Sequence, residues 1–193
     1  MTQCDLFAPQ LPRGMTYAQE FITRGEEQAL LAIIQTLPLS EAQYRQYTAR
    51  RRTVNYGSVY DFTQLQSKPA PTIPEFLAPL REKVGAWAGA QASAFVHSLI
   101  SEYRPGAPLG WHRDVPEFEI VVGVSLASAA RMRFRPYPWR PERKAQVFAI
   151  ELAPRSAYIL RDDARWQWQH MVPPVKTLRY SITFRTQRDL REE

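Results

Sequence analysis

At 193 residues with 45% hydrophobic content, the chain is sized for one well-buried domain. Its one cysteine, Cys4, excludes an internal disulfide framework, and no apolar run is long enough for a transmembrane helix. The net charge of +6 rests on 21 arginines against 4 lysines. That bias favours nucleic acid over a generic anion, because a planar guanidinium binds phosphate bidentately and stacks on bases.

Residues 1–20, broken by Pro9, Pro12 and Gly14, read as an irregular N-terminal arm, and residues 21–193 as one domain. The segment Met1 to Phe7 lacks the basic region and apolar core of a secretory signal, so cytoplasmic residence is expected, with a monomer favoured. Leu30, Ile33, Ile34 and Leu37 recur at helical spacing from Glu26 to Leu37, and Pro38 ends the run. Residues 50–62 read as a strand or hairpin turning at Asn55-Tyr56-Gly57, and the prolines of 67–74 read as a rigid connector. A second helix, from Pro74 to about Ala90, would align Leu77, Leu80, Val84 and Trp87.

Short strands then follow at 96–103, 110–114, 120–126, 132–135, 146–152, 158–160, 166–171 and 178–184. Many short strands between Pro/Gly turns point to a sandwich or barrel of jelly-roll type. In the last strand Leu178, Tyr180, Ile182 and Phe184 alternate with Arg179, Ser181, Thr183 and Arg185. One face is apolar and belongs against a core; the other is polar with an arginine at each end.

Chemistry concentrates at His112-Arg113-Asp114 and His170. Two imidazoles and one carboxylate form the facial set that holds non-haem Fe(II) with coordination positions left open. Residues two apart on an extended segment share a face, so His112 and Asp114 can aim at one metal while His170 returns through the fold. Zinc on the same three groups, activating water, is a second reading, and a basic nucleic-acid-binding module without catalysis is a third. His97, in an apolar strand, reads as a hydrogen-bonded structural histidine.

The segment Tyr103-Arg104-Pro105-Gly106-Ala107-Pro108-Leu109-Gly110-Trp111-His112-Arg113-Asp114, then His170, then Arg179 to Arg185 in an R-x5-R pattern, resembles the AlkB family of Fe(II)- and 2-oxoglutarate-dependent dioxygenases. The resemblance implies an α+β fold, a double-stranded β-helix (jelly roll) with helices packed on one face. It implies Fe(II) on His112, Asp114 and His170, and 2-oxoglutarate and O2 as co-substrates. Arg179 would pair with the distal carboxylate of 2-oxoglutarate, Tyr103 would hydrogen-bond it, Ser181 would lie beside it, and Arg185 would sit near Asp114 and the keto-acid end. The implied reaction is oxidation of an N-methyl group on a nucleobase of DNA or RNA, with release of formaldehyde, succinate and CO2. The chain departs from the family pattern at Ser101 and Ser181, where asparagines are frequent, and at Pro116, where some relatives carry an acid that contacts the base. Pro116 keeps a protein-modifying dioxygenase, a lysine demethylase or hydroxylase, as the alternative.

On the substrate side, residues 50–62 are the candidate nucleotide-recognition lid. Tyr56 and Tyr60 would stack on an extruded base, Asn55 would bond its edge, and Arg50 to Arg52 would hold flanking phosphates. Arg133 is a further candidate contact, within a second cluster of arginines around Phe134, Tyr137 and Trp139. Trp166 and Trp168 are candidate cavity walls.

Overall fold

The computed structural model describes residues 11–44, 47–61 and 66–189, with side chains outside 42–49 and 59–67. In chain order the elements are β1 (Met15–Ala18), α1 (Arg24–Ile34), β2 (Ser40–Tyr44), β3 (Tyr47–Tyr56), β4 (Ser58–Asp61), β5 (Gln66–Pro69), α2 (Ala78–Ala88), β6 (Phe95–Tyr103), β7 (Leu109–His112), β8 (Phe118–Leu126), β9 (Ala130–Pro136), β10 (Phe148–Leu152), β11 (Ala157–Leu160), α3 (Asp162–Trp166), β12 (Trp168–Val172) and β13 (Arg179–Gln187). The eight strands expected from the second half of the chain are all present. α3 takes the start of the segment read as the seventh of them, so Trp166 ends a helix rather than opening a strand.

Two antiparallel sheets face each other in the jelly-roll arrangement. The larger runs β1-β11-β8-β13-β6-β3-β2 and the smaller β10-β9-β12-β7. β13 lies at the centre of the large sheet, paired to β6 on one side and β8 on the other, and is buried on both faces from Arg179 to Thr186. Its apolar row, Tyr180, Ile182 and Phe184, packs under the helices with Leu30, Ile34, Leu77, Leu80 and Val84. Each such side chain taken from water contributes about 1.5–3 kcal/mol. The polar row faces the opposite way, into the space between the sheets.

The helices sit as the spacing requires, with shifted ends. α1 starts at Arg24 because Thr23 and Glu26 close a capping box, each side chain bonding the other's backbone N–H. It stops at Ile34, three residues short of Leu37, and Ile33 is left exposed. α2 carries Pro79 in its first turn, where a missing N–H costs nothing, and ends on Gly89 in the left-handed region.

Three expectations are corrected. The arm of residues 1–20 is not a separate unit: β1 pairs with β11, Met15 opposite Leu160, as an edge strand of the large sheet. Gly14, which reads as a breaker, makes the turn into it at φ +83°. Residues 1–10 lie outside the described residues. The candidate lid of 50–62 divides at Gly57. Residues up to Tyr56 belong to β3, a wall strand paired with β6, while β4 pairs with β5 as a separate two-stranded ribbon. Gly57 permits this split, since a Cβ there would lie 1.9 Å from the Val96 carbonyl oxygen. The proline-rich connector is therefore strand at its start, where β5 ends on Pro69.

Candidate active site

A cavity of about 800 Å³ opens between the sheets. Alternate residues of neighbouring strands line it: Arg51, Thr53 and Asn55 from β3, His97, Leu99, Ser101 and Tyr103 from β6, and Arg179, Ser181, Thr183 and Arg185 from β13. Register aligns them. Arg179 is opposite Tyr103, Ser181 is opposite both Ser101 and Ser125, and Arg185 is opposite His97. Two of the residues that break the family pattern, Ser101 and Ser181, thus join Thr53 and Ser125 in one buried hydroxyl row, Thr53-Ser101-Ser181-Ser125, across four adjacent strands.

Strand pairing also closes the gap between the histidines. His170 on β12 lies directly opposite His112 on β7, with ring centroids 4.2 Å apart. Asp114 follows two residues beyond the end of β7, in a loop rather than on the strand, held there by Arg165. The Arg165 Nη2 donates to the carbonyls of Asp114, Val115 and Phe118. One ligand atom from each of His112, Asp114 and His170 falls within 4.8 Å of the others, the one such group among the described residues. Arg165 carried no motif; only its position on a short helix beside the second histidine could have marked it.

The electrostatics suit a divalent metal. His112 Nδ1 donates to the Gly110 carbonyl at 2.9 Å, which leaves the Nε2 lone pair free. Burial holds both imidazoles neutral: it lowers the pKa of His112 and pushes His170 down to about 3, with His112 and two arginines adding to the latter. Burial opposes the charge on Asp114, yet the Arg185 guanidinium beside it leads the opposing charges that hold the carboxyl below its usual range. Arg185 donates to Asp114 Oδ1, while Oδ2 faces His170 at 3.7 Å. Two neutral imidazoles and one carboxylate oxygen, His170 buried and His112 and Asp114 half-buried, lie close enough together to fit Fe(II).

A second set of groups in the cavity could hold an anion. Arg179 is 2% exposed; its Nε donates to Ser125 Oγ at 3.3 Å, and its Nη1 is buried with no partner among the described residues. An orphaned buried cation is costly, and a carboxylate is the group that satisfies it. Beside it burial resists ionisation of the Tyr103 phenol, but Arg51 and Arg179, with bonds from Arg51 and Ser181, hold its pKa below that of a free tyrosine. Arg51 is thus a cavity residue rather than a phosphate contact. Arg52 is engaged elsewhere, by Glu102 and the Leu39 carbonyl.

Of the candidate substrate contacts, Asn55 lines the cavity. Tyr56, the next residue, points to the other face and is buried in the core beneath the helices, where it cannot stack on a base. The side chain of Tyr60 lies outside the described residues. Arg133 is exposed on the outer face of the small sheet and does not line the cavity. Neither Trp166 nor Trp168 lines it: Trp166 donates to Glu119, and Trp168 packs on Phe148.

The comparisons agree with this geometry. A family model described as the 2OG-Fe(II) oxygenase superfamily matches residues 14–185. The chain belongs to that superfamily. Within it the chain is AlkB-like. It is 28% identical over 184 residues to an alkylated DNA repair protein ALKBH8 homolog of Arabidopsis thaliana, covering 84% of this chain and 51% of that one. It is 29% identical over 154 residues to the DNA oxidative demethylase ALKBH2 of Mus musculus, covering 72% and 62%. The chain therefore spans about half the length of the curated relatives it first matches. The solved structure of OsALKBH1 superposes with a TM-score of 0.66 at 15% identity over 92% of this chain and all of that one, a likeness of fold. Among the described residues no helix is long and apolar enough to cross a membrane.

Proposed function

We propose that the protein is an oxidative demethylase of N-alkylated nucleobases in DNA or RNA. The observation that carries the oxygenase part is the unpartnered buried Nη1 of Arg179 in the same cavity as the His112-Asp114-His170 set. The nucleic-acid part is supported by the relatives, one named a DNA oxidative demethylase, and by the arginine-rich composition.

Bound Fe(II), with 2-oxoglutarate and O2, supplies the oxidising power for an unactivated C–H bond. The chain supplies the rest. His112, His170 and Asp114 would hold the metal, with Arg185 covering Asp114 Oδ1 so that Oδ2 is the oxygen offered to it. Arg179 would take the distal carboxylate, with the hydroxyl row and Tyr103 fixing the remaining oxygens. Leu99, Val121, Met132 and Leu152 line the same cavity and keep its floor dry. Asn55 also lines the cavity, where its amide would bond a base edge.

The test is formaldehyde release from oligonucleotides carrying N-methylated adenine or cytosine, with Fe(II) and 2-oxoglutarate. Turnover on the oligonucleotide is expected. Silence there, with turnover on a methyl-lysine or proline peptide, would establish the protein-modifying alternative. That alternative rests on Pro116, an exposed residue without a group to contact a base.

A further inference from the structure

The outer face of the small sheet carries basic side chains that the cavity does not use. β9 buries Met132 and Phe134 and turns Arg131, Arg133 and Arg135 outward. Arg140, Arg143 and Lys144 follow in the next turn. Among the described residues none of these six makes an ion pair, although Glu151 stands opposite Arg131 in the register and Glu142 lies in the turn. Arg13, Arg52, Lys83, Arg104, Arg155 and Arg188, by contrast, all pair with carboxylates.

The unpaired arginines are laid over aromatic rings. The Arg135 guanidinium is 4.5 Å from the Trp111 ring centroid and 5.4 Å from that of Trp139, with its Nε fixed by Gln169. Arg133 flanks Trp111 at 5.9 Å. Arg113 lies 3.7 Å over Tyr137, itself 38% exposed. Trp111 and Arg113 also line the cavity, so the platform begins at the cavity's edge and runs outward. Flat π faces held against guanidiniums that form no ion pair among the described residues match a strand that alternates stackable bases with phosphates.

We propose that this face is a docking site for single-stranded nucleic acid outside the catalytic cavity. It engages the unmodified nucleotides that flank the target residue. The nature of the partner rests on the nucleic-acid reading above; the site itself needs neither a methylated base nor iron. An acidic protein would meet the charges but leave the rings without stacking partners.

The experiment uses the full chain and a fluorescein-labelled, unmethylated oligothymidylate, with binding followed by anisotropy over a series of NaCl concentrations. Binding that weakens steeply with salt is expected. Arg133→Glu/Arg135→Glu should weaken it by roughly tenfold or more and flatten the log–log salt slope by about 1.4, some 0.7 for each single-strand phosphate no longer neutralised. Trp139→Ala should weaken it with the salt slope unchanged, because it removes stacking and no charge. Unaltered 2-oxoglutarate binding and thermal unfolding would show each variant to be folded. Three results would overturn the proposal: no oligothymidylate binding by the wild type, variants that bind as the wild type does, or equal competition by poly-glutamate. Because the probe carries no methyl group, these outcomes are separate from failure of the demethylation reading.

Discussion

His97 accepts a hydrogen bond from Arg185 on its Nδ1, at 3.1 Å, while the same guanidinium donates through Nε to Asp114 Oδ1. Arg185 can only donate, so His97 must be neutral with its proton on Nε2, which faces Asn55 Oδ1 at 3.4 Å. A chain of polar contacts thus runs from the Asp114 carboxylate to the Asn55 amide, both in the cavity wall. Replacing His97 by Leu leaves a buried guanidinium N–H without its acceptor, at a cost of about 1–3 kcal/mol. His97→Leu should lower the unfolding midpoint and weaken Fe(II) retention. His97→Gln, whose carbonyl can accept from Arg185, should recover most of both; equal losses in the two variants would show that His97 acts by bulk alone.

The same histidine gives the metal-free protein an acid-sensitive window. Burial, then Arg185, push His97 down to about 3 against the opposing pull of Asp114, and His170 is pushed to a similar value. The unfolded chain therefore binds protons that the folded chain refuses between about pH 6.5 and 3. Each such group withdraws about 1.4 kcal/mol of stability per pH unit as pH falls through that range. Urea denaturation of the metal-free protein between pH 7 and 5 should show stability falling with acid, and His97→Gln should show a shallower fall. A flat profile would contradict the burial of both rings.

Arg179→Lys is expected to be nearly as damaging as Arg179→Ala. The orphaned Nη1 and the Nε bond to Ser125 use two corners of a planar group that an ammonium cannot reproduce. Both variants should weaken 2-oxoglutarate binding by about two orders of magnitude, the loss of a charge-assisted pair worth roughly 3 kcal/mol. Titration of the Fe(II) protein with 2-oxoglutarate measures this. Near-normal affinity in the lysine variant would mean that another group takes the carboxylate.

Arg165→Met should act on the metal rather than the co-substrate. Its Nη2 gathers three carbonyls of the loop that carries Asp114. Without it the loop is untied, and Fe(II) affinity should fall by about tenfold, as when other groups that orient metal ligands are removed. The KM for 2-oxoglutarate at saturating Fe(II) should stay close to that of the wild type.

The sequence was most legible where period and chemistry coincide. In β13 the alternation of Tyr180, Ile182 and Phe184 with Arg179, Ser181, Thr183 and Arg185 exposed both the core face and the cavity face, and the histidine and aspartate motif marked three side chains that the fold brings together. Tyr56 misled because an aromatic next to Asn55 satisfies a stacking motif and a strand's core face equally; only the register with β6 decides between them. Arg51 was hidden inside a run of three arginines whose members go to a cavity wall, to Glu102 and to solvent. β1 is four residues long, too short for alternation to register, and owes its place to pairing with β11, about 140 residues away.

One missing side chain shapes the whole interior. Gly123 stands opposite Tyr158 across β8 and β11, and a Cβ at 123 would fall 2.3 Å from the tyrosine ring. That absence lets the phenol lean across the strand into the cavity beside Asp114. The pair is therefore a lock whose two halves can be recut together. A methyl at 123 would evict the ring, and a small residue at 158 would carve a hollow in the cavity wall near Asp114, room for a bulkier ligand that the natural interior does not admit.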